Sequence, residues 1–337
     1  LWDYLAEARQ RLGEYVGAQP DNLVFVPNST FGLNIVARSL NLTSEDRVLT
    51  TDHEYGACDN VWQFLSQKNR FCYWQQPVAL PANSAEGLLD QLWQGVTDNT
   101  RVIFISHIAS STAVCFPIAE ICRRAREEGI LTIIDGAHAP GPVALDLQAI
   151  YPDFYFGNTH KWLCSPKGSA FLYARPDKQP LIEPLVIGWG WGEHRTLTFG
   201  SDFLDYTQWL GTNDLSAYLS VPAAINFQEE HHWTAVRQQC HHLLTQVMQR
   251  ISALTGLPPL YPPAGGLYHQ MATIPLPQLA STEALKAQLY QDYQIEVPVL
   301  EWNGRHFVRV SVQGYNTQSD LDRFVEALTA LLPKLTR

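Results

Sequence analysis

Leu131-Thr-Ile-Ile-Asp-Gly-Ala-His138 and Asp153-Phe-Tyr-Phe-Gly-Asn-Thr-His-Lys-Trp-Leu-Cys-Ser-Pro-Lys-Gly168 decide how this chain is read. Each is a short apolar run that stops at small or polar residues. Runs of this length, rich in β-branched and aromatic side chains, fit strands buried on both faces. The polar residues then fall just past the strands' carboxyl ends. Similar runs recur at Leu23–Val26, 48–51, 71–74, 101–107 and Ala170–Ala174. Amphipathic stretches at 31–40, 56–67, 85–95 and 118–128 separate several of them. Strand alternating with helix predicts an α/β fold with a mostly parallel central sheet covered on both faces. Such sheets place ligands beyond the carboxyl ends of their strands, where Asp135 and Lys161 lie.

The pattern changes after residue 184. Residues 184–215 are rich in Gly and Trp, as in Gly188-Trp-Gly-Trp-Gly192, and read as irregular. A long helical stretch is expected over about 216–254. Pro258, Pro259, Pro262, Pro263 and Gly265-Gly266 then break the chain. Strand-like runs at 267–274, 295–300 and 306–312 follow, with helices over Thr282–Tyr293 and from Thr317. We therefore expect a large domain over residues 1–215 and a smaller α+β domain over 216–337. Apolar residues at 1, 2, 5, 12 and 16 give a helical period at the start of the sequence. A chain rarely begins inside a helix, so a preceding segment is expected.

Composition narrows the function. The 337 residues are 46% hydrophobic and 17% charged, which is ordinary for a globular protein. A net charge of −10 with scattered basic residues argues against a nucleic-acid partner. No apolar run is long enough to span a membrane. Six cysteines without a CxxC pair fit a reduced, cytoplasmic protein.

The two opening stretches also carry chemistry. A carboxylate after four apolar residues is costly to bury unless a cation pairs with it. A pyridinium N–H is such a cation, and a lysine past a neighbouring strand completes what a pyridoxal 5'-phosphate (PLP) site needs. An amine beside Trp162 and Leu163 would have a lowered pKa, which suits imine formation. Read alone, Asp135 fits a helix cap equally well, and Lys161 fits a surface lysine lying on Trp162. Asn28-Ser-Thr30, after one strand and opening a helix, forms a natural phosphate site or a plain N-cap. His231-His232 and His241-His242 would sit about 15 Å apart on one helix, at about 1.5 Å per residue. No single metal ion bridges that distance, so a solvated helix face is the better reading.

Thr132-Ile-Ile-Asp-Gly-Ala-His-Ala-Pro-Gly141, His160-Lys161 and Ser165-Pro-Lys-Gly168 resemble class V aminotransferases of PLP fold type I. Phe25-Val-Pro-Asn-Ser-Thr30, Asp52-His-Glu-Tyr-Gly-Ala-Cys58, Gly157-Asn-Thr-His-Lys-Trp-Leu-Cys164 and Gly211-Thr-Asn-Asp214 resemble the isopenicillin N epimerase-like branch. The resemblance implies that Lys161 is the Schiff-base lysine and Asp135 the partner of the pyridine nitrogen. It places His138 at the ring oxygen and Ser29, Thr30, Asn158 and His160 at the phosphate. Tyr55, or alternatively His53, would stack on the ring. Thr212 would reach the phosphate of a partner subunit, which implies a homodimer. Arg309, in Val308-Arg-Val-Ser311, would bind the substrate carboxylate, a task suited to a bidentate guanidinium. Family members carry some tens of residues before the first helix. Cysteine desulfurases of this family have a nucleophilic Cys on a loop before that arginine, and residues 291–301 contain none.

The expected function is PLP chemistry at the Cα of an amino-acid substrate, epimerase-like. A C–S lyase acting on cysteine, cystine or a cysteine sulfoxide, and an aminotransferase, are the alternatives. A PLP-fold binding subunit without catalysis is the competing class, and retention of Asp135 and Lys161 argues against it.

Overall fold

Strands β1 (Leu23–Val26), β2 (Arg47–Thr51), β3 (Cys72–Gln76), β4 (Thr100–Ser106), β5 (Leu131–Asp135), β6 (Phe154–Asn158) and β7 (Ala170–Ala174) form one sheet in the order β1-β7-β6-β5-β4-β2-β3. They belong to a computed structural model that describes residues 1–262 and 265–336. Pro263, one of the expected chain breaks, lies outside the described residues. The pairs β6-β5, β5-β4, β4-β2 and β2-β3 are parallel. β7 runs antiparallel to both β6 and β1. The carboxyl ends of β1, β2, β4, β5 and β6 therefore share one edge of the sheet.

The helices are α1 (Trp2–Val16), α2 (Ser29–Ser39), α3 (Gly56–Asn69), α4 (Ala85–Trp93), α5 (Ile118–Glu127) and α6 (Leu147–Ile150), interleaved with these strands. The residues of β1, β6 and β7 are all buried, which explains their unbroken apolar sequence. Trp62 of α3 packs against Phe71, Tyr73 and Phe104, and Phe104 stacks on Phe156. This aromatic cluster continues into Leu33 and Val36 of α2 and fixes both helices on the sheet.

An ion pair anchors the far edge of the sheet. Asp153, just before β6, accepts from the Thr132 N–H at 2.7 Å and pairs with Arg175 at 2.7 Å. Its charge is thereby satisfied inside the scaffold, unlike that of Asp135 at the opposite end of β5.

The chain divides into two compact units. The first contains Leu1–Val78, Leu89–Ile108 and Pro117–Glu230; the second contains Ala79–Leu88, Ala109–Phe116 and His231–Arg337. In the first, residues 184–215 are irregular except for α7 (Asp202–Thr207). The helical stretch expected over about 216–254 is built of three helices: α8 (Ser216–Leu219), α9 (Val221–Glu230) and α10 (Trp233–Thr255). His232 adopts a left-handed φ of 51° and caps α10. Pro222 in the first turn of α9 is the local reason for a fresh start there.

The second unit carries a three-stranded antiparallel sheet, β8 (Met271–Leu276), β9 (Val299–Trp302) and β10 (Arg305–Ser311), in the order β8-β10-β9. It also carries α11 (Thr282–Tyr293) and α12 (Gln318–Leu335), the latter opened by a Thr317/Asp320 capping box. The strand expected from residue 267 starts only at Met271. Leu267 gives its carbonyl to Cys115 N–H instead.

Candidate active site

Asp135 ends β5 and is only 4% exposed. The sheet register sets Ser106 of β4 and Phe156 of β6 beside it. One carboxylate oxygen accepts the Ala137 N–H at 2.8 Å. The Cys58 thiol of α3 donates to the other at 3.5 Å. Burial pushes the Asp135 carboxyl above its ordinary value, against the Ala137 N–H and the charge of Lys161. Burial, reinforced by Asp135 and Glu54, holds Cys58 well above the usual thiol range, so it remains a neutral donor.

The loop after β5 brings His138 to Lys161. The Trp162 indole N–H donates to His138 Nδ1 at 3.1 Å, and His138 Nε2 lies 3.0 Å from Lys161 Nζ. Lys161 itself is exposed, while Trp162 and Leu163 are buried. The low-polarity surroundings expected for its amine are therefore not what the fold provides. Its contact is a ring nitrogen rather than an apolar wall. Gly136 makes the turn possible, since a Cβ there would stand 2.2 Å from the buried Tyr155 ring. The Tyr155 hydroxyl in turn lies 2.9 Å from His107 Nδ1. Pro166-Lys-Gly168 is a turn, with Gly168 at φ 91°.

Three of the expected phosphate residues also meet or adjoin. Ser29 N–H donates to Asn158 Oδ1 at 2.9 Å, tying the start of α2 to the end of β6. Asn28 caps α2 through Phe31 N–H at 2.8 Å. Ser29 Oγ is buried and has no hydrogen-bond partner among the described residues. His160 Nδ1 donates to the Ser169 carbonyl at 2.6 Å, which leaves Nε2 for another group. Burial lowers the His160 pKa, against that hydrogen bond.

The segment after β2 separates the two stacking candidates. His53 is fully buried, with Nε2 2.8 Å from the Val78 carbonyl. Tyr55, at the start of α3, is 49% exposed. Between them Glu54 is an acid that the sequence reading left without a role. Its carboxylate accepts from Thr51 Oγ1 at 2.7 Å and from Ser106 N–H and Oγ at 2.9 and 2.6 Å. Burial still pushes it up to about 8, with Asp135 and Asp59 adding to the shift. Cys58, Ser106 and His107 also escaped notice. Ser106-His107 could have been found by the rule that exposed Asp135, a polar residue ending an apolar run.

Thr212 is exposed on the segment between α7 and α8. Arg309 lies on β10 in the second unit. Its guanidinium donates to the Ser110 carbonyl and, at 3.2 Å, to Ser110 Oγ. Burial lowers its pKa, and Nε has no hydrogen-bond partner among the described residues. Among the described residues no carboxylate pairs with it. His241 Nδ1 lies 2.9 Å from the His269 carbonyl and its ring stacks on Tyr268, so it is half-buried packing rather than a solvated face. Among the described residues no group of side chains could hold a metal ion, and no helix is long and apolar enough to cross a membrane.

The family model for class-V aminotransferases matches residues 2–324. The chain belongs to the class-V aminotransferase family. It is 35% identical to isopenicillin N epimerase of Amycolatopsis lactamdurans over 335 residues, covering 96% of this chain and 84% of that protein. It is 25% identical to hercynylcysteine sulfoxide lyase of Schizosaccharomyces pombe, covering 94% and 81% respectively. The apo cysteine desulfurase of Thermococcus onnurineus shares the fold, with a TM-score of 0.83 at 20% identity, covering 99% of this chain and 84% of that one. Class-V enzymes depend on PLP, and PLP is the cofactor of this enzyme. The residues fit it on their own account. Ser29 Oγ is a buried hydroxyl in want of an acceptor or donor, at the start of an 11-residue helix. Asp135 is a buried acid without the ion pair that Asp153 has, and a pyridinium supplies that cation.

Proposed function

We propose that this PLP-dependent enzyme acts at the Cα–H bond of an amino-acid substrate and inverts that centre, in the manner of isopenicillin N epimerase. The observation that carries the proposal is the pairing of Lys161 Nζ with His138 Nε2 beside the buried Asp135. The epimerase relative, at 35% identity, sets the reaction class. PLP, when bound, supplies an electron sink next to Cα. Lys161 holds the cofactor covalently and moves the Cα proton. His138 holds the cofactor's ring oxygen and faces Lys161. Asp135 keeps a proton on the ring nitrogen, and Tyr55 covers the ring face. Ser29, Thr30, Asn158 and His160 bind the phosphate. Arg309, with no carboxylate partner of its own, takes the substrate's α-carboxylate. Thr212 serves the phosphate of a second copy, making the enzyme a homodimer, and the enzyme works in the cytoplasm.

The test is a D2O incubation of the PLP-loaded enzyme with isopenicillin N. Deuterium entering at Cα together with inversion is the expected result. Sulfide or pyruvate from cysteine, cystine or a cysteine sulfoxide, without exchange on the first substrate, would replace epimerase by C–S lyase. The lyase relative at 25% identity keeps that reading as the alternative. Amino transfer to a 2-oxo acid would make it an aminotransferase. Borohydride reduction should leave PLP on Lys161, located by peptide mass. Absence of that adduct would refute the assignment of Lys161.

A further inference from the structure

We infer that Trp162 is a positioning residue that locks His138 in a single tautomer and so sets which partner donates between His138 and Lys161. The inference rests on the proposed role of His138 and goes beyond it. An indole N–H donates and never accepts. Because Trp162 Nε1 lies 3.1 Å from His138 Nδ1, that nitrogen must offer its lone pair. A neutral imidazole then carries its only hydrogen on Nε2. Nε2 lies 3.0 Å from Lys161 Nζ, so His138 donates and the lysine nitrogen accepts once that amine is unprotonated. A hydrogen on Nε2 facing Lys161 favours the neutral amine over the ammonium. It also leaves a neutral N–H donor for a cofactor oxygen. A His138 of the opposite tautomer would instead accept from a charged Lys161.

Trp162 is held firmly enough for this task. The residue is 8% exposed. Its carbonyl accepts from Gln228 Nε2 at 3.2 Å. Gly141, at φ 113°, packs so closely that a Cβ there would stand 2.7 Å from the Trp162 Cβ. Adjacent in sequence to Lys161, the indole thus fixes the partner of that lysine by reaching back to the loop after β5.

The experiment uses the PLP-loaded enzyme labelled with 15N-histidine, and assigns His138 by comparison with His138→Gln. Wild type is expected to show His138 with Nδ1 unprotonated and Nε2 protonated. The opposite tautomer in wild type overturns the inference without any Trp variant. Trp162→Phe keeps an aromatic ring in the slot but removes the donor. It should convert the His138 signal to a mixture of tautomers, shift the visible band of the bound cofactor, and raise the dissociation constant for PLP about two- to tenfold, the range for one lost hydrogen bond. Glutamine has no ring tautomer to lock. In the His138→Gln background Trp162→Phe should therefore leave band and affinity unchanged. An equal shift in both backgrounds would make Trp162 mere packing and refute the inference. Loss of the Lys161 adduct in the wild-type enzyme would instead refute the functional reading.

Discussion

Replacing Glu54 by Gln tests the electrostatics at the centre of the site. Three donors, Thr51 Oγ1 and the N–H and Oγ of Ser106, favour the Glu54 anion. Burial opposes them and wins, holding the carboxyl at about 8 against an ordinary 4.5. A carboxyl raised on folding keeps its proton in the folded state after the unfolded chain has lost it. Stability is then greatest below the unfolded value, falls as pH rises toward 8, and levels off above it. At about 1.36 kcal/mol per pH unit over most of that window, Glu54 costs the folded protein about 3 kcal/mol between pH 5 and pH 8. Asp135 is also raised and drifts the same way, but it is present in both proteins. The difference between wild type and Glu54→Gln therefore reports Glu54 together with its coupling to Asp135. Urea midpoints of the cofactor-free proteins, measured at several pH values from 5 to 8, should show the variant gaining on wild type by about that amount. Parallel curves would mean that Glu54 stays ionised throughout. The three donors would then outweigh desolvation, and the account of this buried acid would be wrong.

Two further outcomes follow from the geometry. Ser29→Ala removes a buried hydroxyl that has no partner among the described residues, so the cofactor-free protein should lose under about 0.5 kcal/mol or gain slightly. PLP retention on dialysis should nevertheless fall severalfold, and unchanged retention would remove Ser29 from the phosphate site. Gly136→Ala drives a methyl to 2.2 Å from the Tyr155 ring. The ring or the turn must move, and overpacking of this kind costs about 1–3 kcal/mol, seen as a lower urea midpoint and weaker PLP binding together.

Much of the scaffold was legible because several of its strands are buried along almost their whole length. Leu23–Val26, Leu131–Asp135 and Ala170–Ala174 begin and end where the apolar runs do. Thr282–Tyr293 is bounded as its helical period predicts. The failures have local causes. Residues 216–254 carry a helical pattern throughout, yet Pro222 restarts the helix and His232 turns left-handed. The strand expected from 267 starts late because Leu267 gives its carbonyl to Cys115 instead of to a neighbouring strand. Pairing across such distances leaves no periodic trace.

By itself the sequence determined which residues end the strands, and hence that Asp135 and Lys161 fall at or just past strand carboxyl ends in a mostly parallel sheet. Strand period and chain direction are local properties, and that placement follows from them. That the Ser29 turn shares their edge was decided by the antiparallel β7 between β1 and β6. Only the tertiary structure decided the protonation states. Glu54 keeps its proton because burial outweighs Thr51 and Ser106. His138 shows a donor to Lys161 because an indole 24 positions along the chain occupies its other nitrogen. Desolvation and hydrogen-bond direction depend on which groups meet in space, so residue order alone does not contain them.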